Sequence, residues 1–118
     1  MVLQRVLSLL KCDFEVVGTA TNGRDLLTEA EQLKPDIIVL DITMPILNGI
    51  EAARELRQVG SKARLVFLTV HERPAFVHAC FAEGAEGYVT KSRLGTDLIP
   101  AIHEALSGGR FISPSVLR

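Results

Sequence analysis

The feature that most constrains the fold is a run of four apolar residues, 37–40, that leads directly into the carboxylate of Asp41. The run is rich in β-branched side chains, has no polar alternation and follows Pro35, so it predicts a short strand buried on both faces. Strands of this kind belong to parallel sheets that helices cover on both sides. We therefore expect Asp41 at the carboxyl end of such a strand, in the crevice where open α/β sheets bind their ligands.

Taken alone, Asp41 fits better the commoner role of an Asp after a strand, which is to cap a helix or close a turn. Two other predicted strands favour a different role, because each also ends in a polar residue. Residues 65–68 lead into Thr69, and the weaker strand 87–90 stops at Lys91. Right-handed crossovers between parallel strands would bring all three polar residues to the same edge of the sheet.

A carboxylate, a hydroxyl and an ammonium group at one edge suit the acceptance of a phosphoryl group. In this interpretation Asp41 is the nucleophile that forms an aspartyl phosphate. Lys91 offsets the charge on the transferred oxygens, and Thr69 donates a hydrogen bond to one of them. Such transfer usually also needs Mg²⁺, held by one or two carboxylates together with phosphate and water. The sequence offers one carboxylate at this edge.

Size and composition narrow the class of protein. The 118 residues suit one domain with a single core that needs neither disulfides nor metals. Lys and Arg number 13 against 14 for Asp and Glu, so we expect the chain to bind neither nucleic acid nor a membrane. Cys12 and Cys80 have no partners at metal-ligand spacing, and the three histidines are scattered as surface or packing residues. This pattern predicts a reduced, cytoplasmic protein.

The order of elements follows from apolar periodicity and from the positions of Gly and Pro. One further strand is expected over residues 15–20. The last helix is expected to start near Thr96 or later, so that Pro100 lies in its first turn, and the tail after Gly109 is expected to be docked or loose. The other helices are predicted within residues 1–10, 26–33, 50–56 and 74–84, the first of them amphipathic and not a signal peptide.

The chain resembles the receiver domain of two-component response regulators over nearly its whole length, from Met1 to Gly109. The resemblance implies the receiver fold, a flavodoxin-like doubly wound parallel sheet. It is carried by the stretch 35–45, by Asn48-Gly49, by Leu68-Thr69, by Gly84-Ala85 with Gly87-Tyr88, and by Lys91.

The resemblance also implies a role for each site residue. Asp41 would be the phosphoacceptor, Lys91 the lysine that meets the phosphoryl group, and Thr69 the switch hydroxyl. Tyr88 would be the aromatic that rotates, although a half-buried strand aromatic explains it equally well. Asp41 and the backbone carbonyl of Thr43 would be ligands of Mg²⁺, and a histidine kinase would be the phosphoryl donor.

Two departures from the receiver pattern matter. Receivers begin with a strand that ends in an acidic pair and lies inside a sheet of order 2-1-3-4-5. This chain starts at the first helix, so we expect four strands, five helices and a Mg²⁺ site that is weak or absent. Asp13 and Glu15 follow that helix and are not expected to replace the pair. Ser92 stands where many receivers have proline, which leaves open whether the Lys91–Ser92 bond is cis.

The stretch 107–114 resembles the subgroup of response regulators that continues into a LuxR-type helix-turn-helix. We therefore expect an amino-terminally truncated receiver domain over residues 1–109. Residues 110–118 are expected to form an extension toward an output domain that this chain lacks.

Three functions follow from these patterns. The first is a signalling receiver that is phosphorylated on Asp41, switches conformation or dimerisation to control transcription, and has at most slow self-dephosphorylation as enzymatic activity. The second is a degenerate receiver that acts as a phosphorylation-independent interaction module. The missing strand motivates it, because unpaired strand edges recruit partners, and it predicts a homodimer, including one with exchanged elements. The third, a phosphatase of the haloacid dehalogenase kind, needs a second Asp where this chain has Thr43.

Overall fold

The computed structural model describes residues 2–11 and 13–116, so Cys12 lies outside the described residues. They form an α/β fold with five α-helices and one parallel sheet of four strands in the order β1-β2-β3-β4, as many helices and strands as the sequence predicts. The strands are β1 (Ile37–Leu40), β2 (Arg64–Thr69), β3 (Gly87–Thr90) and β4 (Phe111–Ile112). The helices are α1 (Val2–Leu10), α2 (Gly23–Leu33), α3 (Gly49–Gln58), α4 (Pro74–Ala82) and α5 (Leu94–Leu106).

Helices cover the sheet on both faces, and this explains why residues 65–68 of β2 are all apolar. Leu65 and Phe67 point to one face, where they pack with residues of α2, α3 and α4. Val66 and Leu68 point to the other face and pack with α1 and α5. A strand covered on both faces has no solvent side, which is why polar residues do not alternate along it.

Two asparagines start the helices that flank β1. The side chain of Asn22 accepts a hydrogen bond from the amide of Asp25 and so caps α2. Asn48 and Glu51 form a reciprocal capping box at the start of α3. Both asparagines are therefore helix caps.

The prediction of a strand over residues 15–20 is wrong, because these residues have no regular secondary structure. A strand needs a hydrogen-bonding neighbour, and β1 pairs only with β2. Among the described residues, no backbone hydrogen bond involves residues 15–20. In the order 2-1-3-4-5 another strand lies between this segment and β1, and the described residues form no strand there, which explains the lack of a pairing partner.

A cavity of about 780 Å³ occupies the space between residues 15–20 and β1. We call it the edge groove. Residues of α1, α2 and α5 complete its walls, and it reaches the carboxyl end of β1. Four of its lining residues are large apolar side chains exposed to solvent, namely Val16, Val17, Leu33 and Leu106.

The fourth strand lies in the tail after Gly109, which the sequence predicts to be docked or loose. Phe111 and Ile112 pair in parallel with Gly87 and Tyr88 of β3. A strand of two residues has too few positions to show a period, so the sequence pattern did not predict it.

The last helix starts earlier than expected, at Leu94, and Pro100 lies in its interior and not in its first turn. A proline inside a helix loses one backbone hydrogen bond and costs about 3 kcal/mol. Burial of Leu98, Ala101 and Ile102 against the sheet offsets this cost, since each large apolar side chain contributes roughly 1.5–3 kcal/mol. Packing of one face therefore outweighs the local preference of the sequence.

Candidate functional site

Asp41 and Lys91 form an ion pair at the carboxyl edge of the sheet. Asp41 follows β1 and Lys91 follows β3, so the lysine side chain reaches across the end of β2, which lies between them. Lys91 Nζ lies 2.5 Å from Asp41 Oδ2. The side chains are 26% and 25% exposed, which leaves the pair accessible to a small reactant from solvent.

The loop after β1 holds Asp41 from two sides. The amide of Thr43 donates to Asp41 Oδ1 at 3.2 Å, so the carboxylate also closes a turn, as the simpler interpretation of the sequence predicts. Gly49, the first residue of α3, lies so close that a Cβ atom there would be 1.9 Å from the carbonyl oxygen of Asp41. Only glycine permits this approach, which explains the Asn48-Gly49 pair in the sequence.

Thr69 and Tyr88 lie at the same edge, and both are fully buried. Thr69 Oγ1 accepts a hydrogen bond from the amide of His71 at 3.3 Å, and the Tyr88 hydroxyl donates to the carbonyl oxygen of His71 at 2.8 Å. Burial raises the pKa of Tyr88, so its hydroxyl stays protonated and able to donate. Among the described residues, Asp41 makes its direct side-chain contact with Lys91 and not with Thr69.

His71 joins these residues, although its scattered position in the sequence predicts only a surface or packing role. Its Nε2 lies 3.0 Å from Thr43 Oγ1, and its ring stacks on Phe76 with centroids 4.2 Å apart. Its backbone carries the hydrogen bonds of Thr69 and Tyr88. The only signal in the sequence is its position two residues after Thr69, just beyond the end of β2.

The described side chains around Asp41 do not fit a Mg²⁺ site. Lys91 occupies one oxygen of this carboxylate, and the amide of Thr43 occupies the other. Within residues 2–11 and 13–116, no group of three or more His, Cys, Asp or Glu side chains is arranged to hold a metal. Mg²⁺ is usually bound through one or two carboxylates besides phosphate and water. Asp41 and the carbonyl of Thr43 offer a single carboxylate, and both of its oxygens already accept hydrogen bonds from the protein.

Other sequence expectations concern residues outside this cluster. The Lys91–Ser92 bond is trans, because the described residues contain no cis peptide bond. Burial raises the pKa of the Cys80 thiol to about 12, so this cysteine is a packing residue and not a nucleophile. No helix in the part of the chain that the structure describes combines the length and the apolar character needed to cross a membrane.

Known proteins are similar to this chain in sequence and in fold. The model of the response regulator receiver domain matches residues 1–103. Response regulator GacA of Pseudomonas aeruginosa is 37% identical over 102 residues, which are 86% of this chain and 48% of the relative. The nitrate/nitrite response regulator protein NarL of Escherichia coli (strain K12) is 36% identical over 104 residues, 88% of this chain and 48% of the relative. The chain thus spans about half the length of these curated relatives.

Solved structures agree with the sequence relatives. A two-component response regulator of the LuxR family from Aurantimonas sp. SI85-9A1 has a TM-score of 0.88 at 37% identity, covering 97% of this chain and 81% of that one. The signal receiver domain of a NarL-type response regulator from Mycobacterium tuberculosis has a TM-score of 0.80 at 30% identity, covering 91% of this chain and 85% of that one. The chain therefore belongs to the response regulator receiver domain family.

Proposed function

We propose that this receiver domain accepts a phosphoryl group on Asp41 from a histidine kinase in the cytoplasm. The observation that carries the proposal is the contact between Lys91 Nζ and Asp41 Oδ2. A lysine in this position can follow the negative charge onto the phosphoryl oxygens when the carboxylate is esterified. Partial exposure of both side chains leaves room for the donor.

The proposed step is an in-line displacement. An oxygen of Asp41 attacks the phosphorus of phosphohistidine, a new O–P bond forms, and the P–N bond breaks. Its electron pair stays on the imidazole, which takes a proton from solvent. Hydrolysis of the resulting acyl phosphate by water returns the carboxylate and inorganic phosphate. We expect this self-dephosphorylation to be slow and to be the only enzymatic reaction of the domain.

Thr69 and Tyr88 are the proposed switch residues. Phosphorylation adds a charge of about −1.5 to −2 beside the end of β2. To donate its hydroxyl proton to a phosphoryl oxygen, the Thr69 side chain would turn toward Asp41, which would alter the hydrogen bond that Thr69 Oγ1 accepts from the amide of His71. The carbonyl of His71 holds the Tyr88 hydroxyl, so the change reaches both residues. A nearly complete switch requires about 5.5 kcal/mol of differential stabilisation.

We extend this proposal to transcription control, which the names of relatives such as the transcriptional regulatory protein DesR of Bacillus subtilis suggest. In this view residues 1–109 are the receiver and residues 110–118 lead toward an output domain. The segment from Phe111 to Val116 would then carry the signal onward, since it pairs with β3 next to Tyr88.

The test is phosphorylation by acetyl phosphate, measured by intact mass spectrometry in the presence and absence of Mg²⁺. We expect the wild-type protein to gain one phosphoryl group and Asp41→Asn to gain none, because the amide is not a nucleophile for this transfer. Asp36→Asn removes an exposed aspartate from the same stretch of chain and should be labelled like the wild type. An unlabelled wild type, or a labelled Asp41→Asn variant, contradicts the proposal.

The edge groove favours a second candidate function, a homodimer that forms with or without phosphorylation. Among the described strands, β1 has no partner on its outer edge, and exposed apolar side chains surround the groove beside it. Such an edge recruits other chains, and exchange of elements between two copies is one way to cover it.

Light scattering over a range of protein concentrations tests the dimer. We expect the mass of a dimer at high concentration and a shift toward monomer in Val17→Glu, since the charge falls among the apolar residues of the groove. Val59→Glu places the same charge on an exposed valine elsewhere and should leave the mass unchanged. A wild type that is monomeric at every concentration rules out this candidate.

A further inference from the structure

A buried polar network binds the residues on both sides of Lys91 in the chain. Ser113, the residue after β4, is fully buried. Its Oγ accepts a hydrogen bond from the amide of Thr90 at 3.1 Å and donates one to Asp97 Oδ2 at 2.7 Å. The Ser113 side chain therefore connects the last residue of β3 to the first turn of α5.

Asp97 is the centre of this network and is only 4% exposed. Arg93 binds both of its oxygens, with Nε at 2.7 Å and Nη2 at 3.3 Å, and Thr96 Oγ1 donates to Oδ1 at 3.1 Å. Burial alone would raise the pKa of Asp97, but the hydrogen bonds from Arg93, Ser113 and Thr96 outweigh it and hold the pKa below its ordinary value. The carboxylate is therefore ionised at neutral pH, when it binds these donors most strongly.

The network fixes the backbone on both sides of Lys91. Before it, the amide of Thr90 is bound by Ser113. After it, Arg93 is held by Asp97, and the turn from Lys91 to Arg93 is closed by a hydrogen bond from the Leu94 amide to the Lys91 carbonyl. A lysine side chain has many rotamers, so the direction in which its backbone starts decides whether Nζ meets Asp41.

We propose that Ser113 and Asp97 are positioning residues, which hold the backbone around Lys91 so that its ammonium group stays against Asp41. Neither touches Asp41, so they act through Lys91 alone. The consequence of this positioning, a faster phosphoryl transfer, rests on the proposed phosphoacceptor function. The placement of Lys91 itself can be measured without phosphorylation.

The first experiment measures the reactivity of Lys91 by trace labelling with acetic anhydride and peptide mass spectrometry. Ser113→Ala removes the hydroxyl, and we expect labelling of Lys91 to rise about fivefold, the ratio given by loss of the typical net strength of one hydrogen bond, that from the Thr90 amide next to Lys91. Ser113→Thr keeps the hydroxyl and should restore the wild-type value. Ser61→Ala is the matched control, because Ser61 Oγ also accepts from a backbone amide, that of Ala63, at the end of the sheet where β2 begins.

Arg93→Gln keeps the proposal testable if Ser113→Ala does not fold, because the Arg93 side chain is 40% exposed and its loss leaves no buried cavity. We expect it to raise Lys91 labelling as well. Unchanged labelling of Lys91 in folded Ser113→Ala or in Arg93→Gln overturns the proposal, and so does an equal rise in Ser61→Ala.

The second experiment measures the rate of labelling by acetyl phosphate in the same variants. We expect the maximal rate to fall about fivefold in Ser113→Ala while the donor concentration at half-maximal rate stays constant, since donor binding does not involve Ser113. If the wild type is not phosphorylated, the proposed function fails, while the lysine labelling still decides the positioning role. If the maximal rate is unchanged although lysine labelling rises, the positioning role in transfer is overturned.

Discussion

Ile46, in the loop after Asp41, has a backbone φ of +70° and a side chain that is 78% exposed. β-branched residues rarely adopt this left-handed conformation, which costs about 1–2 kcal/mol. We expect Ile46→Gly to raise the free energy of unfolding by about 1 kcal/mol, because relief of strain exceeds the added flexibility of the unfolded chain. Urea denaturation followed by circular dichroism measures the change.

Val59→Gly is the matched control for this prediction. Val59 is as exposed as Ile46, but its φ is −87° and carries no such strain. Its replacement should lower the free energy of unfolding, because glycine adds only disorder to the unfolded chain. A loss of stability in Ile46→Gly would show that the loop is not strained.

Single residues differ in how far the sequence reveals them. Asp41, Thr69 and Lys91 follow apolar strands directly, so the length of each run is enough to predict which edge of the sheet they reach. His71 acts through its own backbone, which binds the side chains of Thr69 and Tyr88, and Ser113 acts through its hydroxyl, which binds the backbone amide of Thr90. Such contacts depend on tertiary geometry and leave no pattern in neighbouring residues.

At the scale of elements, Pro100 in α5 gives a direct test of packing against local preference. The proline is exposed and lies inside the helix, six positions after its start at Leu94. We expect Pro100→Ala to raise the free energy of unfolding by about 2 kcal/mol. The alanine restores an amide donor and removes a clash, which together are worth about 3 kcal/mol. Part of this gain is lost because proline restricts the unfolded chain and alanine does not. Thermal and urea denaturation should agree.

A matched variant supports the interpretation of that test. Pro74→Ala changes a proline at the first position of α4, where no helical hydrogen bond is lost. It should leave stability unchanged or slightly lower. Equal gains in both variants would mean that Pro100 is not strained by its place in the helix.

The elements that the sequence predicts well are those with an apolar run long enough to mark a buried strand, such as β1 and β2. It misassigns residues 15–20 because their β-branched character is local, whereas strand formation requires a neighbouring strand, which the described residues do not supply. It misses β4 because two residues show no alternation. Pairing and packing between distant parts of the chain decide both cases.

For the molecule as a whole, Asp97 links stability to pH. Its pKa is lowered in the folded state, so the unfolded state binds more protons in acid. The free energy of unfolding therefore decreases as the pH is lowered. We expect Asp97→Asn to reduce the free energy of unfolding by about 2 kcal/mol at neutral pH, through the loss of hydrogen bonds to a charged group. The difference from wild type should persist down to about pH 5 and then shrink as the pH falls through the folded pKa.

Urea denaturation at stepped pH values measures this difference. Asp13→Asn is the control, because Asp13 is exposed and its side chain makes no hydrogen bond among the described residues. It should change the free energy of unfolding little at any pH. A constant difference for Asp97→Asn across the acid range would contradict the linkage.

The edge groove bears on how long a signal lasts. Because Asp41, Thr43 and Lys91 line its end, an acyl phosphate on Asp41 would face water from beneath the sheet edge as well as from outside. Two directions of approach shorten the lifetime of a bond that hydrolysis breaks. We therefore expect the acyl phosphate of the isolated domain to be short-lived, and we expect any partner that fills the groove to lengthen its lifetime.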